Sequence, residues 1–163
     1  MDRELGKLAA PCGLFCGACS VHVAGRRGDT EHLEWIAERS AARRERPVSA
    51  EDLACEGCLS EVRALYCREC DLRRCVLDRG LTRCAQCGDF PCRQLRDFND
   101  DGQPHHGEVL DNIRRQREIG VEAWVEEQME RWRCPRCGGA VEWYADVCPD
   151  CGAPLPGHFP SRA

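Results

Sequence analysis

Aromatic residues are scarce, at 6% of the 163-residue sequence. No apolar run approaches the roughly 18 residues that a membrane-spanning helix needs, so no membrane association is expected. The opening MDRELGKLAAPCG lacks a basic segment followed by an apolar run. The expectation is therefore a cytoplasmic protein in a reducing compartment. No Ser/His/Asp set, glycine-rich phosphate loop or paired-carboxylate motif is visible. Chemistry independent of cysteine thus has no support, and a non-enzymatic role is expected. With 31% charged residues, the apolar core is modest, and such a chain needs extra fastening.

The fastening is present as 15 cysteines. A reducing compartment disfavours disulfides, and an odd count leaves one thiol unpaired in any pairing scheme. The sequence reads instead as metal-stapled. Net charge is −5, and each zinc site with four cysteine ligands would add about −2. That balance disfavours nucleic acid as a general partner; an unidentified protein partner is expected.

The last cluster is the most specific. Cys134, Cys137, Cys148 and Cys151 form C-x2-C-x10-C-x2-C, and each pair sits in C-P-x-C-G. Two intervening residues let both sulfurs face one ion, and the following glycine permits a tight turn beneath it. The alternating AVEWYADV between the pairs predicts a β-hairpin, so the segment reads as a zinc ribbon, with a rubredoxin-like iron site as the alternative.

Residues 55–92 hold eight cysteines, the number two tetrahedral sites need. Sequential filling groups Cys55, Cys58, Cys67 and Cys70, then Cys75, Cys84, Cys87 and Cys92. This closes the shortest loops and costs the least chain entropy. Interleaved filling remains open. CRECDLRRC and CAQCGDFPC repeat C-x2-C-x4-C at an offset of 17 residues. Arg63, Arg68, Arg73, Arg74, Arg79 and Arg83 lie among these thiols. Interspersed acids favour charge compensation over a basic docking surface.

Cys12, Cys16 and Cys19 remain, in C-x3-C-x2-C. They lack an obvious fourth ligand. His22, a borrowed cysteine, water or substrate, or an iron–sulfur cluster with one free iron could complete the set. The spacing matches the cluster cradle of radical S-adenosylmethionine enzymes, but a complete barrel takes about 200 residues or more, and no strand–helix alternation follows. Zinc is the leading expectation at this site and an Fe–S cluster the alternative.

Apolar spacing predicts a helix over 29–46, capped by Asp29 or Thr30 and stopped by Pro47. Its inner face would carry Leu33, Ile36, Ala37 and Ala41. A helical pair follows residue 108, hinged at Gly120 as a left-handed C-cap. The inner face of its second helix would carry Val121, Trp124, Val125, Met129 and Trp132. Glu122, Glu126, Glu127 and Glu130 would repel phosphates. His105 and His106 lie in a polar linker and are expected to be solvated.

The segments CGLFCGACSV (12–21) and CEGCLSEVRALYCRECDLRRCVLDRGLTRCAQCGDFPCRQL (55–95) together resemble domain-of-unknown-function family 3795. The resemblance extends through REIGVEAWVEEQMERWRCPRCG and WYADVCPDCG. It implies a metal-binding architecture using eleven cysteines as a set, without a defined activity. Val76 and Arg79 stand where the pattern has alanine and lysine. At His22 the relatives carry an aromatic such as tyrosine, which argues against His22 as a ligand.

The expected fold is a small metal-stapled α+β protein: a cysteine-rich zinc-knuckle domain (1–95), a linker (96–107), a helical hairpin (108–133), a C-terminal zinc ribbon (134–155) and a flexible tail (156–163). Three or more Zn²⁺ ions are expected, in a small binding or adaptor module. The alternatives are an iron–sulfur or thiol redox protein using Cys12, Cys16 and Cys19, or a nucleic-acid-binding zinc-ribbon protein.

Overall fold

Short helices punctuated by cysteine turns build the chain in a computed structural model that describes residues 6–160. Residues 1–5 of the expected first unit and 161–163 of the expected tail lie outside the described residues. Helix α1 (Ser20–Arg27) starts directly after Cys19 and ends at Gly28, whose φ of 67° is the left-handed turn that glycine tolerates. Helix α2 (Thr30–Arg44) is capped by Asp29, whose carboxylate accepts the His32 N–H at 3.0 Å. It ends at Glu45, two residues before Pro47. Its buried residues are Ala37 and Ser40, with Leu33 and Ile36 half-buried. Ser40 returns its hydroxyl to the Ile36 carbonyl at 2.6 Å and meets the Tyr66 hydroxyl.

Two short helices, α3 (Leu65–Arg68) and α4 (Asp71–Asp78), carry the first copy of the cysteine repeat, and α5 (Arg93–Asn99) follows the second. Cys70 and Cys92 are the residues immediately before α4 and α5. Part of the segment read as a linker is thus helical, with Leu95 of α5 only 1% exposed. Helices α6 (Val109–Ile119) and α7 (Val121–Arg131) form the expected hairpin. Gly120 between them has φ 87° and ψ 159°, an extended mirror-image conformation and not the left-handed cap expected.

The expected β content is not there. Among the described residues no strand forms, and the fold is mostly helical. Only isolated bridges occur, among them Arg133 with Ala140 and Val147 with Pro154. The stretch AVEWYADV does not alternate, because consecutive Trp143 and Tyr144 are both buried. A strand would send them to opposite faces. Instead Ala145 N–H closes a turn on the Glu142 carbonyl, and Trp143 N–H leaves the ribbon to donate to the Ala18 carbonyl at 3.0 Å.

Three apolar clusters organise the molecule. The first joins Phe15 and Ala18 to Trp124, Val125 and Trp132, and to Trp143, Tyr144 and two ribbon cysteines. The second gathers Cys12, Cys16 and Cys84 with Leu72, Val76, Leu95, Val109 and Ile113. The third packs α1 and α2 on Leu53 and Ala64. His105 and His106 are half-buried, against the expectation of solvation. His105 stacks on Trp143 at 4.1 Å and its Nδ1 lies 2.5 Å from the Tyr144 hydroxyl. In the tail, Phe159 rests against Trp132 and Tyr144 at 5.8 and 6.0 Å between ring centres.

Candidate metal centres

Each C-P-x-C-G segment of the ribbon turns back on itself. Gly138 N–H donates to the Cys134 carbonyl and Gly152 N–H to the Cys148 carbonyl, both at 2.9 Å. Gly138 and Gly152 hold φ of 75° and 68°, which β-carbon-bearing residues rarely adopt. The two turns face each other. Cys134 Sγ lies 3.7 Å from Cys151 Sγ, and Cys137 Sγ lies 3.6 Å from Cys148 Sγ. All four sulfurs fall within 4.8 Å of one another. A tetrahedral ion with metal–sulfur bonds of about 2.3 Å has sulfur–sulfur edges of about 3.8 Å. The quartet therefore has the dimensions of a four-thiolate site. The N–H groups of Cys137 and Arg136 pull the Cys134 thiol down to about 6. Backbone donors thus favour the thiolate form that a metal requires.

The opening triplet does not converge on one point. Its second and third members sit with the cysteines that start the middle block. Cys58 Sγ lies 3.1 Å from Cys67 Sγ, and Cys58 holds the buried Cys16 thiol below its ordinary value. Cys19 is coupled electrostatically to Cys16 and Cys55. The Gly57 N–H donates to Cys55 Sγ at 3.4 Å. The Cys55 and Cys58 thiols draw Cys67 down to about 5, and Cys67 pushes Cys55 up to about 12. Burial pushes Cys19 up to about 12. Close sulfurs cannot all ionise side by side unless a cation joins them.

Cys12 is coupled to Cys70 as well as to Cys16 and Cys84, and burial raises its thiol well above the ordinary range. The Cys84 N–H donates to the Pro11 carbonyl at 2.8 Å, which draws the second repeat against the N-terminal turn. Cys75, Cys84, Cys87 and Cys92, grouped by sequential counting, line one cavity of about 30 Å³. Cys70 acts electrostatically on Cys12 and Cys84.

The arginines are engaged with their surroundings. Arg79 donates to Asp89 at 2.5 Å and to Cys87 Sγ at 3.4 Å. Arg73 donates to the Cys58 carbonyl at 2.9 Å. Arg83 is 5% exposed, donates to the Gly6 carbonyl at 2.6 Å, and acts on Cys16 electrostatically. No sequence signal sets Arg83 apart from its neighbours; its burial does. His22 is 7% exposed, with Nδ1 3.2 Å from the Cys55 carbonyl oxygen. Gly57 was also unmarked in the sequence. It has φ 113°, and a β-carbon there would meet the Lys7 carbonyl oxygen at 2.7 Å.

No helix among the described residues is long and apolar enough to cross a membrane. Residues 8–97 match the model of the family described as protein of unknown function DUF3795. No curated protein and no solved structure matches the chain.

Proposed function

The chain belongs to the DUF3795 family, and on that premise we propose that it is a zinc protein whose metal fastens the fold. The observation that carries this reading is the sulfur spacing of Cys134, Cys137, Cys148 and Cys151, at 3.6 and 3.7 Å across opposed pairs. Tetrahedral all-sulfur coordination suits zinc or iron. Four thiolates close the shell of either ion, leaving no position for a catalytic water, so the site is structural, and we read its paired C-P-x-C-G turns as a zinc ribbon. Cys134 and Cys148 are each 1% exposed within the first apolar cluster, so the ion would tie the ribbon into a core shared with Phe15 and Trp124.

On this reading the protein is a small cytoplasmic binding or adaptor module, and its partner is a protein. The net charge of −5, made more negative by thiolates, supports that choice over nucleic acid.

Metal analysis of anaerobically purified full-length protein tests the reading, alongside Cys148→Ala. The expected result is a colourless protein with stoichiometric zinc, and a variant that loses one zinc and becomes protease-sensitive around residues 132–155. Unchanged zinc and unchanged protease resistance in the variant would sink the structural role. A brown protein with stoichiometric iron at this quartet would replace zinc.

A further inference from the structure

A cleft of about 540 Å³ is lined by α1, α7 and the first turn of the ribbon. Concave spaces of this size hold ligands or the anchoring side chains of partners. Its apolar wall includes Phe15, Val23 and Trp132, which are 4%, 7% and 2% exposed and so are held in place by the core behind them. Met129 of α7 also lines the cleft, and its side chain is exposed.

The charged groups of the lining divide into engaged and open ones. Arg27 is held by Asp150 at 2.6 Å, and Glu130 by Arg133 at 2.8 Å. Arg26 on α1 and Glu126 on α7 are exposed and have no ion-pair partner among the described residues. The cleft thus carries an open cation on one helix and an open carboxylate on the other.

The ribbon adds open backbone. Cys134 N–H donates to the Gly139 carbonyl at 2.8 Å, and Val141 N–H to the Trp132 carbonyl at 3.0 Å. Arg133 and Ala140 are bridged between those two bonds, and both line the cleft. Among the described residues their own N–H and C=O groups have no partner. In an antiparallel pair flanked in this way, those groups point away from the opposite chain. An open edge of this kind is what an extended peptide pairs with.

We propose that the cleft docks an extended peptide segment of a partner protein, one that carries a large apolar side chain between an acidic and a basic residue. The apolar side chain packs against Phe15, Val23 and Trp132, where burial supplies most of the affinity. The backbone of the segment pairs with Ala140. Its carboxylate meets Arg26 and its cation meets Glu126, which fixes the direction of the segment. An apolar small molecule would use the wall and leave both charges and the backbone edge idle. Glu126 and Glu130 would repel the phosphates of a nucleic acid.

The inference rests on the reading of the chain as a binding module with a protein partner, and names the chemistry of that partner. A phage library of short random peptides, panned on zinc-loaded full-length protein, tests it, with the best peptide then titrated by fluorescence anisotropy. The expected consensus is one aromatic or long aliphatic residue with an acid on one side and a base on the other. Arg26→Glu and Glu126→Lys should each weaken binding about tenfold, because each sets like charges face to face. Reversing the matching charge in the peptide should restore binding, a rescue that a folding defect would not give. Zinc content of the same preparations reads the metal assignment independently. An enriched peptide indifferent to both variants would overturn the cleft while leaving a binding module in place. The absence of any enriched peptide would overturn it as well. Self-association of the parent that Arg26→Glu abolishes would make a second copy the occupant and overturn the heterologous partner.

Discussion

Gln128 occupies an inner position of α7 where the apolar pattern pointed to Met129. The glutamine is 8% exposed and the methionine 44%. The reason is a hydrogen bond: the Trp132 indole N–H donates to Gln128 Oε1 at 3.2 Å inside the first cluster. Trp124, Val125, Gln128 and Trp132 then share one face at helical spacing. Hydropathy alone could not find a polar residue whose partner is another buried side chain. Gln128→Ala would leave that indole N–H unpaired, at a cost of about 1–3 kcal/mol. Met129→Ala, on the solvent face, should stay within about 0.5 kcal/mol of the parent. Denaturant unfolding of both variants compares the two; equal losses would contradict the assigned face.

Elements were legible where spacing and caps act locally. Helix α2 follows its Asp29 cap, and α6 and α7 divide at Gly120, because these signals need no distant partner. The β-hairpin was misread because Trp143 bonds Ala18, a residue far off in sequence. The helical hairpin carries its own electrostatic test. Arg115 reaches from α6 to Glu127 on α7, with Nε to Oε2 at 3.1 Å and Nη2 to Oε1 at 2.5 Å. The hydrogen bond from Arg115 holds the Glu127 carboxyl below its ordinary value of 4.5. A folded-state value below the unfolded one adds stability above about pH 4.5, lost as pH falls through the folded value. Glu127→Gln should therefore flatten this component of the stability profile between pH 6 and 3. Because the pair is exposed, the effect should shrink in high salt. A variant whose acid profile overlays the parent's would show that the pair contributes nothing.

At the scale of the whole molecule, Phe15 joins parts far apart in sequence. It is 4% exposed and meets Trp124 edge-on, with ring centres 6.1 Å apart. Its cluster includes Trp143, Tyr144 and Cys148 of the ribbon. Truncating a buried phenylalanine costs about 3–5 kcal/mol. That is a large share of the roughly 5–15 kcal/mol that holds a typical domain together. In Phe15→Ala, hydrogen exchange should accelerate together in residues 9–19, in α7 and in 132–148. Acceleration confined to residues 9–19 would mean that the ribbon is held independently of this core.

The C-P-x-C-G pairs determined the ribbon quartet by themselves. Two-residue spacing and a following glycine suffice to turn two sulfurs toward one point, and both signals lie within five residues. The other eleven cysteines marked a metal-binding composition but not its partition. Every C-x2-C pair is locally able to join any other, and loop entropy separates the choices only weakly. Tertiary packing decided which of them share a core. The Pro11 carbonyl, bonded by the Cys84 N–H, helps bring Cys12, Cys16 and Cys84 into one apolar cluster, while Cys134 and Cys148 lie in another.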